Sequence, residues 1–233
     1  MITVRDRNDR GHTTIGWLDS HHTFSFGEYY DPANMGVGAL RVINDDRIIP
    51  GAGFPTHGHR DMEIISYVVS GALEHKDSMG TGSIIRPGDV QRMSAGTGVT
   101  HSEFNPSKDE GARFLQIWIT PEKVGLKPSY EQKNFPSGQR TDVLKRVADR
   151  EGREGAVKVH QDVSIYATML TGGSEVTHTI APGRQIWVQV VQGHVNINDT
   201  DLREGDGAAV TDLTTITLSS QAGAEVLVFD LAA

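Results

Sequence analysis

Apolar residues along this chain come in short runs rather than in helical stripes. Residues 40–43, 63–69, 83–86, 114–119 and 157–160 are rich in β-branched and aromatic side chains and end at Gly, Pro or Asp. Residues 186–191, 195–198, 215–218 and 226–229 have the same character. Each run is of strand length, and their spacing predicts an all-β fold, an antiparallel sandwich or barrel. The 26 glycines and 9 prolines among 233 residues fit a chain that turns often.

Part of the pattern occurs twice. Ile64-Ile-Ser-Tyr-Val-Val-Ser-Gly71 matches Ile186-Trp-Val-Gln-Val-Val-Gln-Gly193, and each glycine leads into another strand. Each half then reaches a Gly-Asp turn, Gly88-Asp89 and Gly205-Asp206. Strand, glycine turn, strand and Gly-Asp turn in the same order twice predict two related β-barrels, residues 1–135 and 136–233. The stretch 121–155 is polar and carries Pro and Gly, which reads as the connection between them. Within it, residues 142–148 suit either a short helix or a further strand.

Charge and composition narrow the chemistry. With 22 Lys+Arg against 30 Asp+Glu the net charge is −8, without a basic block, so direct binding to nucleic acid or an anionic membrane is not expected. There is no cysteine, which excludes disulfides, thiolate metal sites and cysteine nucleophiles. The first ten residues are too charged for a signal peptide, and no apolar run is long enough to span a bilayer. A cytoplasmic, monomeric protein is the expectation.

Ten histidines are present, and two short pairs stand out: His57-Gly-His59 and His101-Ser-Glu103. On an extended chain, side chains at i and i+2 project to one face, about 7 Å apart at Cα. Two such pairs on facing strands converge on one point inside a barrel. Imidazoles with a carboxylate suit a divalent first-row metal and leave positions open for substrate and dioxygen. Glu63, four residues beyond His59, is a second carboxylate within reach, so spacing leaves the fourth ligand open between Glu103 and Glu63. The second half lacks an equivalent set. At the repeat offset, Thr179 and Ala181 stand where His57 and His59 stand, which predicts a degenerate barrel without metal.

Gly51-x5-His57-x-His59-x3-Glu63 resembles the first cupin motif, and Gly98-x2-His101-x3-Asn105 resembles the end of the second. The chain is further similar to the pirin family of bicupins through residues 17–26, 30–32, 40–46, 54–63, 91–105, 115–119 and 158–162. It is most like the bacterial pirin-like proteins with quercetin 2,3-dioxygenase activity. Two departures fall in loops: seven residues rather than six separate Glu63 from Gly71, and Gly96 replaces the usual proline before the second motif. A third falls between the paired histidines, where pirins carry proline and this chain has Gly58.

The resemblance implies two jelly-roll cupin barrels, with one divalent metal held in the first by His57, His59, His101 and Glu103. It also implies Glu63 beside the ligands rather than among them; the expected general base is Glu103, with Glu63 as the alternative. Fe(II) is the expected ion, and Cu, Ni, Mn, Co or Zn suit the same donors. The implied activity is oxidative opening of the central ring of a flavonol such as quercetin, with dioxygen as co-substrate and release of carbon monoxide. The alternative implied by eukaryotic pirins is a non-enzymatic, metal-responsive regulator that binds a protein partner.

The remaining conspicuous residues suit structural roles. His178 is expected as a satisfied strand histidine, and His194 as exposed beside its turn. Trp17, Phe24 and Phe26 read as an N-terminal segment packed on the sheet, near His21-His22. Met93, Phe114, Gln116 and Trp118 read as core or pocket lining, and residues 149–154 as a solvated loop.

Overall fold

A computed structural model describes all 233 residues, Met1–Ala233. The chain forms β-strands joined by turns and three short 3-10 segments, with no α-helix, and no helix is long and apolar enough to cross a membrane. It divides into two compact units. One comprises Gly11–Asn134 and Val157–Gln161; the other comprises Met1–Arg10, Phe135–Ala156 and Asp162–Ala233.

The first unit is built from two sheets. The larger orders its strands as Ser129–Asn134, Asp89–Ser94, Glu63–Ser70, Ala112–Ile119, Leu40–Ile48, Leu18–His22 and Gly11–Ile15. The smaller orders them as Gly53–His59, Val99–Phe104, Leu73–Asp77 and Gly82–Ile85. Phe114, Leu73, Ile85, Val68 and Ile48 fill one buried cluster, and Met93, Ile64, Ala95 and Val99 a second. Burial along Val99–Phe104 alternates, so Val99, His101 and Glu103 share the inner face while Thr100 is exposed. This period of two is what the spacing of His101 and Glu103 requires.

In the second unit, Ile2–Arg5, Gly207–Val210, Arg184–Ile197, Ala224–Ala232, Val163–Leu170 and Lys145–Asp149 lie side by side. Ser174–Thr179 and Thr200–Arg203 add strands through Thr215–Ser220 and the far end of Arg184–Ile197. The core is aliphatic, with Val188, Val190, Ile197, Leu218, Val226 and Val228 fully buried.

The repeated segments occupy matching places. Gly71 and Gly193 both have left-handed φ, 71° and 80°. A Cβ on Gly71 would lie 2.6 Å from the Gly111 carbonyl oxygen, and one on Gly193 would lie 2.3 Å from that of Gly223. The two Gly-Asp turns close in the same way. Asp89 accepts from the Arg86 amide at 2.9 Å, and Asp206 accepts from the Arg203 amide at 2.7 Å. The order and turn chemistry noted in the sequence thus correspond to one architecture used twice.

Three expectations need correction. Residues 121–155 are not merely connecting chain: Ser129–Asn134 pairs with Asp89–Ser94, and Lys145–Asp149 pairs with Val163–Leu170. Segment 142–148 therefore resolves toward a strand. Residues 149–154 are not simply solvated, because Asp149 is fully buried and accepts from Arg146, Arg153 and Ser164. Finally, the two apolar runs at 186–191 and 195–198 are one strand, Arg184–Ile197, continued past an irregularity in register between Val190 and Gln192.

Candidate metal centre

His57 and His59 lie on Gly53–His59, and His101 and Glu103 lie on Val99–Phe104. The two strands are antiparallel, with His101 opposite His57 and Val99 opposite His59. Register shifts between His101 and Glu103, a bulge that accommodates Pro55 in a strand where proline has no N–H to give. Gly53 closes the end of this pairing. A Cβ there would sit 2.1 Å from the Glu103 carbonyl oxygen, so the close approach of the two strands depends on glycine.

These strands bring His57, His59 and His101 together. One ring nitrogen from each lies within 4.8 Å of the other two. The Nε2 atoms of His57 and His101 are 3.1 Å apart. His57 Nδ1 is 2.8 Å from the Pro55 carbonyl oxygen. A carbonyl only accepts, so Nδ1 carries the proton and Nε2 presents its lone pair. Two nitrogens each about 2.0–2.1 Å from one ion at right angles lie about 3 Å apart. The donor chemistry, the forced His57 tautomer and the separation all fit a shared divalent metal.

Electrostatics agree with neutral imidazoles. Burial, with repulsion from His57, lowers His59 to about 4. Burial pushes His101 far below the ordinary histidine value, helped by His57, His59 and His75. Metal ligation needs the unprotonated ring, and burial favours that form for His59 and His101. Trp118 stands edge-on to His59 at 5.0 Å between centroids, which packs the outer side of the group.

The carboxylates are placed differently from one another. Glu103 is fully buried and accepts from Ser66 Oγ and Gln116 Nε2, each at 3.1 Å. Burial raises it to about 7 against those two hydrogen bonds. One of its oxygens lies within 4.8 Å of ring nitrogens of both His75 and His101, a group that adjoins the three histidines through His101. Glu63 lies in neither group. It accepts from the backbone amide of His160 at 3.1 Å, and its Oε2 is 3.2 Å from His160 Nδ1. Geometry therefore favours Glu103 over Glu63 as the carboxylate beside the histidines.

A cavity of about 350 Å³ opens on the inner face of the larger sheet. Leu18, Phe26 and Phe54 supply apolar wall, and Asn44, Asp46 and Gln116 supply polar wall. Gln116 joins cavity to Glu103, and the Phe54 ring lies 6.4 Å from that of His57. Asp46 is buried, hydrogen-bonded to Ser20, and raised by its burial to about 7. His22, also on this wall, bonds Asn44 at 2.8 Å and Thr13 at 2.9 Å.

Sequence reasoning missed Ser66, His75, Asp77 and Asp46. His75 and Asp77 have the same i, i+2 spacing as the pairs that were noticed, so the signal was present. Of the bland readings, Phe114 and Met93 are core, whereas Gln116 faces the cavity. His178 bonds Asp230 at 2.9 Å as a satisfied strand histidine, and His194 is exposed. One further group, His12, Asp19 and His21, lies on the outer hairpin, with His12 and Asp19 hydrogen-bonded at 2.7 Å.

Two units of cupin type, one carrying three converging histidines, define a bicupin. The family model Pirin matches residues 3–119, and one described as "Quercetinase C-terminal cupin domain" matches residues 146–231. The chain belongs to the pirin family. It is 48% identical to quercetin 2,3-dioxygenase of Escherichia coli strain K12, over 99% of both chains. It is 39% identical to a pirin-like protein of Caulobacter vibrioides over the full length of both. The crystal structure of the bacterial pirin YhhW from Escherichia coli in complex with nickel(II) superposes with a TM-score of 0.93 at 47% identity, covering 100% of this chain and 99% of that one.

Proposed function

We propose that this protein is a metal-dependent dioxygenase that opens the central ring of a flavonol such as quercetin, releasing carbon monoxide. The observation that carries the reading is the convergence of three imidazole nitrogens beside the buried Glu103 carboxyl group. The names of the relatives support the substrate class, and the nickel complex of one relative supports a single divalent ion.

His57, His59 and His101 would hold the ion, with Glu103 as the fourth donor. Fe(II) is the ion proposed, and Ni, Cu, Mn, Co or Zn suit the same donors. Once bound, the metal supplies Lewis acidity and an electron path between substrate and dioxygen.

The rest of the work belongs to the chain. Leu18, Phe26 and Phe54 receive the flat aromatic substrate and exclude water from it. Glu103, fully buried beside the histidines, would take the flavonol hydroxyl proton as general base. Gln116 and Ser66 hold the carboxyl group in place while it does so. Deprotonation makes the substrate an electron-rich enolate, the form that reacts with dioxygen.

Steady-state assay with quercetin, following loss of the flavonol and appearance of carbon monoxide, tests the proposal. Turnover that depends on the bound metal is expected. Metal-replete protein that consumes no flavonol would overturn the enzymatic reading and favour the partner-binding regulator.

A further inference from the structure

Behind the three histidines lies a buried pair that the proposed chemistry does not use. His75 and Asp77 sit on Leu73–Asp77, which pairs with the His101 strand so that Asp77 is opposite His101 and His75 opposite Glu103. Both side chains are wholly buried. His75 Nε2 is 3.0 Å from Asp77 Oδ2, and His75 Nδ1 is 3.4 Å from His101 Nδ1. His101 Nε2 faces His57.

We infer that Asp77 and His75 form a positioning relay that fixes the tautomer of His101 and thereby exposes its metal-binding lone pair. The inference rests on the metal-centre reading above. A carboxylate only accepts, so His75 donates through Nε2–H to Asp77. A buried neutral imidazole has one proton, so His75 Nδ1 is then bare and can only accept. His101 must therefore donate through Nδ1–H, which leaves its Nε2 unprotonated. His57 arrives at the same state by donating to Pro55. Two lone pairs thus face each other across 3.1 Å with no proton between them, an arrangement that a cation relieves. Hydrogen bonds of this kind to the far nitrogen of a ligand histidine orient it and raise its basicity.

The rest of Asp77 makes the relay testable by a near-isosteric change. Its Oδ1 accepts from the amides of Met79 at 2.9 Å and Thr81 at 3.0 Å. In Asp77→Asn those amides pin the side-chain oxygen, so the NH2 group takes the Oδ2 position and donates to His75 Nε2. The proton of His75 moves to Nδ1, His101 must accept there, and its own proton moves to Nε2, onto the lone pair the ion needs. The fold is kept while the tautomer is inverted, as in other Asp-to-Asn changes beside a working histidine.

Nitrogen-15 NMR of the metal-free full-length protein reads the tautomer, and competition titration with Ni(II) reads the affinity. The wild type is expected to show His101 protonated at Nδ1. Asp77→Asn is expected to show it at Nε2 and to bind Ni(II) about 10–100-fold more weakly. His57→Ala reports on the metal centre itself. Should His57→Ala bind Ni(II) as tightly as wild type, the metal-centre reading fails. Should His57→Ala lose the ion while Asp77→Asn binds it like wild type, the relay fails and the centre stands. Wild-type His101 protonated at Nε2 overturns the relay even if the variant does not fold.

Discussion

Two buried carboxyl groups carry the residue-scale consequences. Glu103 and Asp46 are both raised to about 7 by burial, yet only Glu103 stands beside the histidines. Glu103→Gln removes the proposed base, and flavonol turnover is expected to fall about 10²–10⁴-fold, measured as kcat with metal saturating. Asp46 gives a stability effect in the metal-free protein. Between its ordinary 3.8 and about 7, the folded protein keeps a proton that the unfolded chain has released. Stability from this group is therefore greatest at low pH and falls as pH rises through that window. Asp46→Asn has no such proton to lose. Urea unfolding should show the variant gaining on wild type by up to about 3 kcal/mol between pH 5 and pH 8. A difference independent of pH would show that Asp46 is ionised in the folded state. The histidine and carboxylate pairs were legible because i, i+2 spacing alone puts side chains on one face. The different hydrogen-bond surroundings of Glu103 and Glu63 were not, because they come from His160, Ser66 and Gln116, which join them only through tertiary packing.

Strands explain what the apolar pattern could and could not show. Glu63–Ser70 and Ala112–Ile119 are almost wholly buried and read directly as β-branched runs. Gly53–His59 carries two site histidines yet has no apolar alternation, since its sequence is Gly-Phe-Pro-Thr-His-Gly-His and much of it is only partly buried. It is a strand because Val99–Phe104 pairs with it, and its proline falls at the bulge. At Gly53 a Cβ would collide with the backbone of Glu103 and Phe104. Gly53→Ala is expected to push the Glu103 backbone away, to cost about 1–3 kcal/mol in urea unfolding, and to weaken metal binding. Wild-type stability and affinity in that variant would mean the strands can separate there without disturbing the site.

For the molecule as a whole, the repeat made two barrels legible, because glycine and Gly-Asp turns recur in order. The exchange of segments was not legible. Strand Ile2–Arg5 pairs with Gly207–Val210 in the second unit, and the Arg7 amide donates to Asp206 at 2.7 Å. Residues 157–161 serve the first unit, where Lys158 and His160 meet Arg92 and Glu63. Local hydrophobicity has no signal for such long-range pairing. Deleting residues 1–10 should expose the edge of Gly207–Val210 and cost on the order of 2 kcal/mol, about 4–8 °C in Tm. Metal content should stay at one ion per chain, since every site histidine belongs to the other unit.

The central claim is one ion held by His57, His59 and His101, and anomalous diffraction from crystals of the metal-loaded protein tests it most directly. A single peak per chain, within bonding distance of all three imidazoles, is the predicted result. A peak bound elsewhere, with these three rings left without an ion, would contradict it.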